Sequence, residues 1–76
     1  MKYRATIIPE GPGTKREAIA PTPKEAIRKV YRAYLVWSHH GAAVSEEELD
    51  DYLKGVKVRN GCIYDHDTPV GDVGPA

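Results

Sequence analysis

The chain has 76 residues, 41% of them hydrophobic and 29% charged, enough for one small domain and too few for two cores. Eleven Lys plus Arg balance eleven Asp plus Glu, so no global field draws the chain toward nucleic acid or a membrane. A single cysteine, Cys62, excludes an internal disulfide and a four-cysteine zinc site, and fits a reducing compartment.

The first segment, residues 2–8, places Tyr3, Ala5 and Ile7 at a period of two, the pattern of a strand with one covered face. Pro9 ends it, and Gly11-Pro12-Gly13 marks a turn of roughly five residues into a second strand over residues 14–20. Ala18 and Ala20 are poor strand formers, so that strand depends on pairing with the first.

Thr22-Pro23-Lys24-Glu25 is a helix start. Thr22 caps, Pro23 takes the first turn where its missing N–H is not needed, and Glu25 completes a capping box. At 100° per residue, Ala26, Ile27, Val30, Ala33, Tyr34 and Trp37 gather on one side, with Lys24, Arg28, Lys29 and Arg32 on the other. The helix is expected to end over residues 38–41, with Gly41 as its left-handed cap.

Val44-Ser45-Glu46-Glu47-Glu48-Leu49 begins a second, short helix: Ser45 caps, Glu48 closes the box, and Val44 with Leu49 forms a hydrophobic staple. The acids Glu46, Glu47, Glu48, Asp50 and Asp51 suit the positive end of its dipole, and Gly55 ends it. In residues 56–64 the Asn60-Gly61 pair supplies the positive φ angles of a type I′ hairpin. Val58 then opposes Ile63, with Val56, Val58 and Ile63 on one face and Lys57, Arg59, Cys62 and Tyr64 on the other. Residues 66–76, with Pro69, Gly71, Gly74 and Pro75, read as a loop or tail that at most adds a short edge strand over residues 70–73. The expected fold is α+β: one domain over residues 1–76, strand order ββ-α-α-ββ, a small antiparallel sheet with the long amphipathic helix across one face.

The zero net charge hides a sequence dipole. Residues 1–38 carry eight basic against three acidic side chains, a net of +5, and residues 39–76 carry three against eight, a net of −5. Kept apart in the fold, these groups make one basic and one acidic face, each suited to a partner of opposite sign; interleaved, they pair with each other. Lys24, Arg28 and Arg32, one turn apart, could follow phosphates or dock on an acidic surface. The run Glu46, Glu47, Glu48, Asp50 and Asp51 could imitate phosphate spacing. A solvated helix back is the plainer reading of the first set, and dipole compensation with solubility that of the second.

Asp65-His66-Asp67, with Cys62 nearby and His39-His40 elsewhere, holds metal-type donors, but the spacing matches no established ligand pattern. An Asp-rich turn explains the same residues. No base or oxyanion hole accompanies Cys62, and the expectation is a chain with no catalytic residue, metal or cofactor.

The layout of MKYRATIIPE, TKREAIA running into PTPKEAIRKV, and VRNGCIYD resembles the anti-CRISPR group of phage-encoded inhibitors by size, element order and charge. The opening is also similar to the HicB-like antitoxins, whose third strand before the helix is missing here. The first resemblance implies a cytoplasmic binding protein of the host cell, not an enzyme. Such a protein occludes a nucleic-acid-binding surface of a Cas complex, with Lys24, Arg28, Lys29, Arg32, Glu46, Glu47, Glu48, Asp50 and Asp51 as contact residues. The alternatives are direct, weak nucleic-acid binding through the basic helix and an antitoxin-like protein partner. Membrane association is not expected: the longest apolar run is residues 33–37, and MKYRAT lacks the apolar region of a signal peptide. A homodimer through an exposed edge strand or the two-tyrosine face of the long helix remains open.

Overall fold

A computed structural model describes residues 1–8, 13 and 15–76. The expected strand terminus at Pro9, the turn at Gly11-Pro12 and the strand start at Thr14 lie outside the described residues. Seven elements follow in order: β1 (Tyr3–Ile7), β2 (Arg16–Ala20), α1 (Pro23–Ser38), α2 (Glu46–Leu53), β3 (Val56–Arg59), β4 (Cys62–Asp65) and β5 (Thr68–Pro75). The strands form one antiparallel five-stranded sheet in the order β2-β1-β5-β4-β3. The class is α+β, as expected.

Both helix starts form as their capping residues dictate. The Thr22 hydroxyl accepts from the Glu25 amide at 3.1 Å, and the Ser45 hydroxyl accepts from the Glu48 amide at 3.1 Å, each satisfying an otherwise orphaned donor of the first turn. Val44 and Leu49 are both buried in the core. The Asn60-Gly61 turn takes positive φ at both residues and sets Val58 opposite Ile63.

The C-terminal end of α1 differs in its cap. The Gly41 amide donates to Val36 O at 2.8 Å and the His40 amide to Trp37 O at 3.1 Å, the paired bonds of a Schellman motif. They place His40, at φ 57, in the cap position expected for Gly41, while Gly41 follows it with a left-handed φ of 87 as expected. The buried face of α1 is also rotated from the expected stripe. Ala26, Val30, Tyr31, Tyr34 and Leu35 are buried, whereas Ala33 is exposed and Trp37 keeps 45% of its surface. Because Tyr31 and Tyr34 lie in the core, the two-tyrosine face is not available to pair two copies.

The largest correction concerns residues 66–76. Beyond a two-residue turn at His66-Asp67 they are not a loop or tail: β5 runs eight residues and lies at the centre of the sheet between β1 and β4. Its Pro and Gly residues serve pairing instead of interrupting it. The register steps between Ile63 and Tyr64, so Ile63 faces Gly71 and Tyr64 faces Pro69, leaving Val70 as the extra residue of a bulge, where a proline's missing donor is tolerated. The bulge puts Val70 into the core, and the Ile8 amide donates to its carbonyl at 2.7 Å. At Gly71 the neighbouring backbone approaches so closely that a Cβ would stand 1.8 Å from Thr6 O and 2.8 Å from Ile7 Cα. Only glycine fits there.

The core lies between the helices and one sheet face, with Ala5, Ile7, Val30, Tyr31, Leu49 and Ile63 at or near complete burial. The other sheet face carries Arg4, Thr6, Lys57, Arg59, Cys62 and Tyr64, and no helix among the described residues covers it. Gly71→Ala is expected to destabilise the domain by about 3 kcal/mol, since a backbone cannot yield as a side chain does. Gly74→Ala, with nothing within 4 Å of its added Cβ, should cost far less. Urea denaturation of the two variants measures this difference, and equal losses would contradict the close approach.

Candidate functional site

The two charge blocks meet where α1 and α2 run beside each other. The Arg28 guanidinium donates to both Glu46 and Asp50, and Arg32 pairs with the same Glu46. The turn spacing that lines up Arg28 and Arg32 on α1 therefore matches the spacing of Glu46 and Asp50 on α2. Lys29 donates to the Ile19 carbonyl at 3.2 Å, and Asp51 pairs with Lys54 at 3.1 Å. Glu48 accepts from the Ser45 hydroxyl at 3.4 Å, and Glu47 is exposed. Of the basic quartet, Lys24 alone forms no ion pair or hydrogen bond among the described residues. The sequence dipole is thus interleaved at the helix pair.

A groove opens where the start of α1, the end of α2 and strand β3 converge. Its volume is about 510 Å³, with Ile27, Leu53, Val56 and Val58 as its apolar lining and Lys24 and Lys54 among its charged residues. Arg28 and Asp50 also reach it, tied to each other. Val58 leaves 45% of its surface exposed there. The cause is topological: β3 is an edge strand, so the apolar side of its alternating Val56-Lys57-Val58-Arg59 sequence is only partly covered by the helices. Lys57 and Arg59 lie on the uncovered sheet face, and neither forms an ion pair among the described residues.

The two edges of the sheet differ. On β2, Lys29 engages the Ile19 carbonyl, and Arg16 donates to the Lys15 carbonyl at 2.8 Å while its guanidinium carbon lies 5.0 Å from the centre of the Trp37 ring. On β3 the pairing phase leaves backbone groups open. A two-residue turn makes Arg59 and Cys62 a hydrogen-bonded pair. The register then repeats that state at Lys57 with Tyr64, and at Gly55 with His66, where the His66 amide donates to Gly55 O at 3.0 Å. The N–H and C=O groups of Val56 and Val58 accordingly point away from β4, toward the free edge.

Asp65 and His66 do come together. His66 Nδ1 stands 2.7 Å from Asp65 Oδ1, while the Tyr52 hydroxyl donates to Asp65 Oδ2 at 2.7 Å. Burial, with the hydrogen bond to Asp65, pushes the Tyr52 phenol well above its ordinary range, so it remains a donor. Tyr31, packed 5.5 Å from the Tyr52 ring centre, is pushed up in the same direction by burial and by Asp65. Its hydroxyl has no hydrogen-bond partner among the described residues. His66 and Asp67 both adopt positive φ, at 50° and 71°, closing the β4–β5 hairpin with the turn geometry usually given to Asn-Gly. Asp65 thereby ties the end of β4 to α2 and orients the turn residue. Cys62 is on the uncovered sheet face opposite Arg59 and Asp72, apart from this arrangement. Among the described residues no group of three or more His, Cys, Asp or Glu is placed to hold a metal ion.

Sequence reasoning singled out the helix charges and missed the groove. The signal was present in the alternation of Val56-Lys57-Val58-Arg59 before Asn60-Gly61, which separates an apolar from a basic face, but nothing local marks that strand as an edge.

Arg28→Ala is expected to lower stability by about 1 kcal/mol at low ionic strength, because the ion pairs it joins are partly exposed and screened. The loss should shrink in high salt, as read by urea denaturation at two salt concentrations; a loss independent of salt would contradict an electrostatic clamp. Comparison of the chain with family models, curated proteins and solved structures found no match.

Proposed function

We propose that this chain is a binding domain that acts without turnover, in the cytoplasm of a host cell, by occupying a surface of a protein in a nucleic-acid-handling complex. The resemblance to anti-CRISPR inhibitors identifies a Cas subunit as the partner to test first. The observation that carries the reading is the apolar groove beside β3, bordered by Lys24, which forms no ion pair among the described residues. Partly exposed apolar side chains rimmed by polar groups are a common mark of a contact surface. A basic helix that tracks phosphates has less support, because Arg28, Arg32 and Lys29 already have partners and releasing them would cost part of the gain.

The expected contact region thus moves from the helix charges toward the groove and Lys24. Charge reversal of Arg28 and Arg32, or of Glu46, would remove the helix clamp as well as any contact, so those variants do not separate binding from folding. Affinity capture of the tagged chain from a bacterial lysate containing CRISPR surveillance complexes, with a nuclease-treated control, tests the reading. Stoichiometric, nuclease-resistant recovery of a Cas subunit is the expected result. Recovery of nucleic acid alone, lost on nuclease treatment, or of no partner would overturn it.

A further inference from the structure

We infer that the free edge of β3 takes up an extended peptide segment as a sixth strand, and that the segment alternates acidic and apolar residues. This rests on the reading of the chain as a binding domain and names the chemistry of its partner.

Three observations carry it. The N–H and C=O groups of Val56 and Val58 face outward, a consequence of the β3–β4 register and the Gly55–His66 bond, and a strand beside them gains main-chain hydrogen bonds at no cost to the existing sheet. Successive side chains of a strand point to opposite faces. One set of the incoming side chains therefore enters the groove beside Val56, Val58 and Leu53, where apolar groups are favoured. The other set lies on the uncovered face beside Lys57 and Arg59, which form no ion pair among the described residues, where acids are favoured as cross-strand neighbours.

The same geometry argues against the two other occupants. A second copy paired through β3 in antiparallel fashion would align Lys57 and Arg59 of both chains on one face, and like charges on neighbouring strands repel. Edge lysines are a recognised device against such self-pairing. The opposite edge at β2 is less open to an added strand, because Lys29 engages the Ile19 carbonyl there. One sheet edge is thereby guarded and the other is selective.

The test uses the isotope-labelled full chain and three synthetic octapeptides. One alternates valine and glutamate, one alternates valine and lysine, and one is the glutamate peptide N-methylated at every second backbone amide. The expected result is a shift of the Val56 and Val58 amide resonances with the glutamate peptide and slower hydrogen exchange at both. Binding by the lysine peptide and by the N-methylated peptide should be at least roughly tenfold weaker. The double variant Lys57→Glu/Arg59→Glu should reverse the preference between the glutamate and lysine peptides. Val58→Asp, at a half-exposed position, should weaken glutamate-peptide binding at least roughly tenfold. Absence of glutamate-peptide binding at millimolar concentration, resonance shifts located elsewhere, or indifference to N-methylation would overturn strand addition. Any of these together with intact capture of a Cas subunit would leave the binding reading standing, whereas failed capture removes that reading itself.

Discussion

The sheet and both of its edges depend on the insertion of β5 between β1 and β4. The N-terminal hairpin and the β3–β4 hairpin do not pair with each other, and β5 alone joins them into one sheet. That insertion requires the Gly71 backbone to lie against Thr6 and Ile7 of β1, and it requires a bulge so that Val70 enters the core while Pro69 pairs with Tyr64. Once β5 is central, β2 and β3 must be the edges. The groove and the open backbone groups of β3 therefore follow from where the last strand of the chain inserts.

The helix pair is fixed in a different way. Buried aliphatic and tyrosine side chains supply most of the contact between helices and sheet, as Tyr31, Val30 and Leu49 show, and Arg28 joins α1 to α2 through Glu46 and Asp50. Partly exposed ion pairs add little free energy individually, but this arrangement has a second effect: it uses up charges of both signs in one place. The cations that remain without ion pairs among the described residues include Lys24, Lys57 and Arg59, which lie around β3 and its groove. A chain of zero net charge thus keeps cations free of ion pairs, among the described residues, beside the open backbone of β3.

Local chemistry was legible in the sequence, and long-range placement was not. The caps at Thr22 and Ser45, the staple of Val44 and Leu49 and the Asn60-Gly61 turn each follow from a few adjacent residues, and each formed as expected. Residues 66–76 misled because Pro69, Gly71 and Gly74 are turn formers in isolation, whereas here a bulge and a close backbone approach use the first two. His66-Asp67 gave no hairpin signal because Asn-Gly is the usual pair, although Asp and His are among the residues that tolerate positive φ. The face of α1 was displaced because periodicity identifies a stripe but not how sheet and second helix share it; Tyr31 and Leu35 were drawn in and Trp37 left half out beneath Arg16. The charge blocks are visible in the sequence, but their mutual pairing depends on how α2 packs against α1. The groove was legible only as an alternation in residues 56–59, since edge position belongs to the sheet.

The measurement that bears most directly on the free edge is residue-resolved amide hydrogen exchange of the unbound chain. Central pairing of β5 predicts slow exchange at the hydrogen-bonded amides of β1, β4 and β5, approaching the rate set by global unfolding. Within β3, the register predicts alternation, with Lys57 and Arg59 protected and Val56 and Val58 exchanging quickly. Uniform protection along β3, or rapid exchange throughout residues 68–75, would contradict the free edge and the sheet order from which it follows.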